Sequence, residues 1–109
     1  MPICMTDKER ELRLRLDESV RRIRSTLGRC PFVDGLDYLD EEAVEVVAAL
    51  TDEANRSLLD AMSCTEALEQ LRGASDEAAL LCATSRVALG VVREVLTVLI
   101  AATDCRRTA

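Results

Sequence analysis

The chain has 109 residues, 49% of them hydrophobic, yet Phe32 and Tyr38 are its only aromatics, so a one-domain core must be Leu, Val, Ala, Ile and Cys. Two prolines and four glycines are too few for a turn-rich β protein, which makes the fold class all-α. A net charge of −6 argues against nucleic-acid binding by the chain as a whole, and the absence of His removes the commonest transition-metal ligand and general base.

The first helix is expected over about 6–29. Leu12, Leu16, Val20, Ile23, Leu27 and Cys30 recur at helical spacing and form a narrow apolar stripe, suited to coiled-coil-like packing on one or two neighbours. Thr6 with Glu9 three residues later has the pattern of a capping box, and Gly28 followed by Pro31 ends the helix. Its arginines divide between two faces, with Arg10, Arg13, Arg21 and Arg24 on one and Arg15, Arg22 and Arg29 on the other. Residues 1–30 hold eight basic and five acidic side chains, whereas residues 31–74 hold two basic and eleven acidic. That segregation suggests that the first helix lies beside the second, with opposite charges flanking their seam. Phosphate binding by the arginines is the sharper alternative, but acidic residues are interleaved and no aromatic is present for base stacking.

Residues 30–39 form the loop. It carries Phe32, Val33, Leu36, Tyr38 and Leu39, which would plug one end of a bundle or meet a partner. The second helix is expected over about 40–73, with Asp40 as N-cap and Glu41 and Glu42 well placed on its dipole. Its stripe is Val44, Val47, Leu50, Ala54, Leu58, Ala61, Met62 and Leu68. Thr51 and Ser63 both open helix-start patterns, so a break at either would give four helices, although one continuous helix is the preferred reading.

The string Asp40-Glu41-Glu42-Ala43-Val44-Glu45-Val46-Val47 sets Glu42 and Glu45 at i, i+3, a spacing that could gather carboxylates for Mg²⁺. It resembles the Glu-Glu-x-x-Glu helix of the all-α nucleotide pyrophosphohydrolases, the MazG and phosphoribosyl-ATP pyrophosphatase group. That resemblance implies a downstream Glu-x-x-Asp completing a metal site. The nearest strings are Glu53-Ala-Asn-Arg56, with Arg where Asp belongs, and Glu66-Ala-Leu-Glu69. The simpler account of Glu41, Glu42 and Glu45 is a solvated acidic first turn, and no metal or cofactor is expected.

Gly73-Ala74 makes the next turn, and Ser75 caps a third helix over about 75–104 with Asp76 and Glu77 in its first turn. Leu81, Ala88, Val91, Val92, Val95, Val98 and Leu99 make its main face, and Cys82, Leu89, Leu96 and Ile100 a flank beside it. Together they span roughly 220° of the circumference, where a surface helix needs about 100°. Such a helix is either central in a bundle or buries a second face against another molecule. Helix one is also too short to cover the whole hairpin, which leaves apolar surface open near Gly73 unless Ile3 to Met5 reach it.

Five cysteines at irregular spacing fit neither a disulfide framework nor a zinc site. Arg93 and Glu94 interrupt the only apolar run that approaches membrane-spanning length, and no leader pattern opens the chain. The expectation is a soluble, cytoplasmic protein with reduced thiols.

Residues 1–109 therefore read as a single helical domain, an antiparallel three-helix bundle with a long hairpin between helices two and three, completed by oligomerisation. The function expected is a non-enzymatic protein–protein interaction or assembly module, a homo-dimer or a subunit of a hetero-complex, with no nucleic acid and no membrane as partner. The expected interface is Cys82, Leu89, Leu96 and Ile100 on the flank of helix three, with Phe32 and Tyr38 of the loop. A small acidic inhibitor that occupies a partner's binding surface is the alternative, and a Mg²⁺-dependent nucleotide hydrolase is the third reading.

Overall fold

The computed structural model describes residues 7–30 and 40–108. Three helices run antiparallel in chain order: α1 (Asp7–Gly28), α2 (Glu41–Glu69) and α3 (Asp76–Thr108). The molecule is a rod, 61 × 19 × 18 Å, as three helices of 22, 29 and 33 residues at about 1.5 Å per residue require. The all-α three-helix bundle expected from periodicity is the observed architecture. No described helix is long and apolar enough to cross a membrane.

The helix ends follow from local chemistry. Asp40 is the N-cap of α2, its Oδ1 accepting the Ala43 N–H at 2.7 Å. Ser75 caps α3 through its hydroxyl, which accepts the Ala78 N–H at 3.2 Å. Between them the chain reverses at Gly73, whose φ of 74° is left-handed and costs glycine nothing. Helix α2 is continuous through both suspected break points. At Thr51 and Thr65 the hydroxyls turn back onto the Ala48 and Ala61 carbonyls at 3.0 and 2.9 Å, so they are satisfied inside the helix and do not compete with it. Helix two stops four residues short of expectation and helix three runs four residues further, with Arg106 and Arg107 in its last turn.

The order of packing excludes one of the two readings left open for helix three. The central element is α2, not α3: α1 and α3 each pack along α2 and scarcely touch one another. Ala48, Thr51, Ala54 and Ala61 give α2 a small-residue surface on which both neighbours can sit closely. The core is one cluster built from Leu12, Leu16 and Ile23 of α1, Leu58 and Leu68 of α2, and Cys82, Leu89 and Leu96 of α3.

A further expectation is reversed. The open part of the hairpin is not near Gly73. There α1 begins, and the buried Glu9 accepts the Ser75 backbone N–H at 2.7 Å while Arg13 pairs with Glu77 at 3.7 Å. Helix α1 ends where Arg29 reaches Glu53, at 3.6 Å, so among the described residues the first turns of α2 pack on α3 alone. The capping box expected of Thr6 and Glu9 involves Thr6, which lies outside the described residues; among the described residues Glu9 serves the N-terminus of α3, where a carboxylate suits the helix dipole.

The seam between α1 and α2 is flanked by opposite charges, as the charge segregation suggested. Asp60 accepts from Ser19 at 2.5 Å and from Arg15 at 3.2 Å, and Arg29 meets Glu53.

Candidate helix-docking groove

The residues expected to form an interface are placed as follows. Cys82, Leu89 and Leu96 lie in the chain's own core, Leu96 at 1% exposure. Ile100 is half-buried, and Phe32 and Tyr38 lie outside the described residues. The flank of helix three was assigned to a partner, but Cys82, Leu89 and Leu96 of that flank enter the core; of the expected main face, Leu81 and Val92 pack against the core while Val91, Val95 and Val98 are open. Helix α3 lies on α2 along Ala78, Cys82, Leu89, Leu96 and Thr103. The face opposite is open, with Leu80 at 66%, Val87 at 72%, Val91 at 58% and Val98 at 67% exposure, and Val95 beside them.

This placement has a simple cause. Wheel position orders residues by angle but does not say which angle meets the neighbour. Leu89 and Leu96 are seven apart, as are Cys82 and Leu89, and Leu96 and Thr103, so the buried seam has the heptad period of close helix packing. A signal was therefore present in the Cys82, Leu89, Leu96, Thr103 spacing, but two valine-rich turns outweighed it.

Because α1 and α3 stand apart on α2, a groove runs between them, with a volume of about 910 Å³. Its apolar lining comes from Leu16, Val20, Ile23 and Leu27 on α1 and Leu81, Ala88, Leu89 and Val92 on α3. The α1 rim is charged, carrying Arg10, Arg13, Asp17 and Arg24, while the α3 rim carries Thr84 and Ser85. These three arginines belong to the first of the two faces read from sequence; Arg15 and Arg29 of the second face turn to the acids of α2. Asp17 pairs with Arg21 at 3.1 Å and Arg13 with Glu77. Arg10 and Arg24 have no ion-pair partner among the described residues. The rim therefore carries net positive charge. Over the α3 rim the groove passes without interruption into the open valine face, and Leu14 of α1, 64% exposed, flanks its other side.

The chemistry suggested by Glu41, Glu42 and Glu45 has no geometric support. All three are exposed on the first turns of α2, and the Glu45 carboxylate is taken by Arg107 at 2.9 Å. Glu69, in the downstream string, is held by Arg86 through two hydrogen bonds, which keep its carboxyl below the usual range. Among the described residues no group of three or more acidic or thiol side chains stands close enough to share a metal ion. Cys30, Cys64, Cys82 and Cys105 are free thiols. Burial pushes the thiols of Cys64 and Cys82 above their ordinary value, with nearby Asp60 and Glu69 adding to the effect against Arg15 and Arg86. Such thiols are small hydrophobes rather than nucleophiles.

No protein-family model, no curated protein and no solved structure matches this chain.

Proposed function

We propose that the chain is a non-enzymatic helical interaction module, which receives a partner helix in the α1–α3 groove and against the outer face of α3. One observation carries the reading: an apolar surface continuous from the groove lining through Val91, Val95 and Val98, on a helix whose opposite face is already buried in its own core. Monomeric proteins rarely leave contiguous apolar patches beyond a few hundred Å² open, and larger ones mark interaction sites. A helical occupant fits better than a small apolar ligand. A compact molecule could fill the groove but would leave Leu80, Val87 and Val98 in water.

A photo-crosslinking amino acid at position 91, with one at position 56 as control, tests this in cells that make the protein. Arg56 is exposed on α2, outside the groove. Protein adducts confined to position 91 support the module. Equal labelling at both positions, or none at 91, defeats it.

A further inference from the structure

We infer that the occupant is an acidic amphipathic helix of a different protein, with a carboxylate at each end of a four-turn apolar stripe and a basic or neutral residue midway. This rests on the interaction-module reading above and adds the chemistry of the partner.

The shape of the groove calls for a helix. Helices α1 and α3 both pack along α2, start at the same end, where Glu9 accepts the Ser75 N–H, and scarcely touch one another. Three helices so placed are a four-helix bundle with one corner empty. From Arg10 to Leu27 the groove runs about 26 Å, which a helix of some five turns fills. Its α3 wall is low in the middle, where Thr84, Ser85 and Ala88 lie between Leu81 and Val92. A large aliphatic side chain of the occupant seats there, against Val20 and Ile23 of α1.

The rim sets the charge of the occupant. Arg10, Asp17 and Arg24 line the groove at intervals of seven residues, and all three are exposed. Seven residues return a side chain to nearly the same helix face, so the three form one row about 21 Å long. Flanking charges in such a row are how paired helices choose their partners. Asp17 is held by Arg21 at 3.1 Å, whereas Arg10 and Arg24 have no ion-pair partner among the described residues. A row of positive, negative and positive charge selects a facing helix with acids two heptads apart and a base or neutral residue between them. The acidic excess of the chain lies on α2, across the bundle from the groove, so it does not screen this row from an acidic partner. The same spacing disfavours an amphiphile with one anionic head, which would neutralise one arginine and lay its apolar end beside the other.

A second copy of the chain lacks the complementary row. A second α1 would set arginine against arginine in either direction. On α3 no two of the exposed acids Asp76, Glu77, Glu94 and Asp104 stand fourteen residues apart. On α2 Asp52 and Glu66 do, but Leu59 is the one large apolar residue exposed between them. The complementary helix therefore belongs to another chain.

Two labelled synthetic helices of three heptads test this, by fluorescence anisotropy against the purified full chain. Both carry the same leucine stripe. One has glutamates two heptads apart with lysine midway, and the other has lysines there with glutamate midway. The glutamate-ended helix is expected to bind roughly tenfold more tightly, since two exposed pairs change from attraction to repulsion in the other. Raising the salt should shrink that ratio. In the double variant Arg10→Glu with Arg24→Glu the order of the two helices should reverse, with the helical circular dichroism unchanged because both side chains are exposed. Equal affinities, or an order that the double variant does not reverse, overturn the acidic chemistry. Binding of neither helix overturns it too, and crosslinking from position 91 then separates the two readings. Adducts at 91 leave the interaction module standing with a partner of other chemistry, and their absence removes both.

Discussion

The two faces of α3 are nearly equal in hydrophobic content and opposite in fate. The inner face holds Cys82, Leu89, Leu96 and Thr103; the outer face holds Leu80, Val87, Val91 and Val98. What separates them is spacing and side-chain type. The inner seam repeats every seven residues and pairs leucine with the alanine, cysteine and threonine of close helix contacts. The outer face repeats just as regularly but is built largely from valine, a residue of lower helix propensity and one a solvated surface has no need of. A helix that carries such a face is weaker alone than an ordinary surface helix would be. The difference between the faces is thus a difference of burial: one is covered within the chain and the other is left for a partner.

The most damaging way to break this contrast is to put the same charge on each face. Leu96→Glu strands a carboxylate in a site that is 1% exposed, within the apolar core cluster. Removing a buried leucine alone costs about 2–5 kcal/mol, and an unpaired charge adds to that. The variant should fail to fold at room temperature. Val91→Glu should keep its helical circular dichroism and its cooperative melt. If Leu96→Glu folds and Val91→Glu does not, the two faces have been assigned the wrong way round.

A smaller effect is expected at the junction that fixes the α1–α3 gap. Glu9 is buried and accepts the Ser75 backbone N–H, and so anchors the start of α1 to the start of α3. Glu9→Ala should cost about 1.5–3 kcal/mol, the usual worth of a hydrogen bond to a charged acceptor. Chemical denaturation would read it as a lower midpoint at an unchanged slope. A change under half a kilocalorie would mean that this contact does not set the spacing of the groove.

Much of this fold was legible beforehand, and the limits were physical. Asp40, Ser75 and Gly73 act through their nearest neighbours, so capping and turn chemistry were readable from short strings. The three helices and the charged α1–α2 seam followed from periodicity and from the runs of opposite charge. Which helix sits in the middle did not follow, because it depends on small residues of α2 such as Ala54 and Ala61, which look unremarkable in a stripe of larger ones. The role of Glu9 was hidden for a different reason. Its Ser75 partner lies 66 residues away, beyond the reach of any local pattern. The groove is a gap between two elements, and a gap has no residue pattern of its own.

Thiol chemistry sharpens the contrast more gently. Cys82 belongs to the inner face and Cys64 lies opposite on α2, both buried, while Cys105 is exposed near the end of α3. Desolvation raises the thiols of Cys64 and Cys82, so deprotonation is easier in the unfolded chain than in the folded one. Their contribution to stability is present below the ordinary thiol value of 9.0 and is lost as pH rises above it. Alkylation followed by mass analysis at pH 8 should label Cys105 rapidly, with Cys64 and Cys82 following only as fast as the chain opens. Equal rates at all three sites would show that the inner face is not closed.

The smallest effect is expected where the inner face gives way to solvent. Arg86 stands one turn beyond Cys82 and holds Glu69 of α2 through two hydrogen bonds. That hydrogen bonding, more than the bare charge of the guanidinium, lowers the Glu69 carboxyl from its ordinary value of 4.5. The folded chain therefore keeps Glu69 ionised at a pH where the unfolded chain has begun to protonate it. The stabilisation is fully present above the unfolded value and is lost as pH falls through the lower, folded one. At pH 7, Glu69→Gln should lower the thermal midpoint slightly, because the pair is open to solvent and screened by salt. Near pH 3 the wild-type and Gln chains should approach one another. A gap that is unchanged between pH 7 and pH 3 would mean that the carboxylate charge contributes nothing there, and that Glu69 holds α2 against α3 by its shape alone.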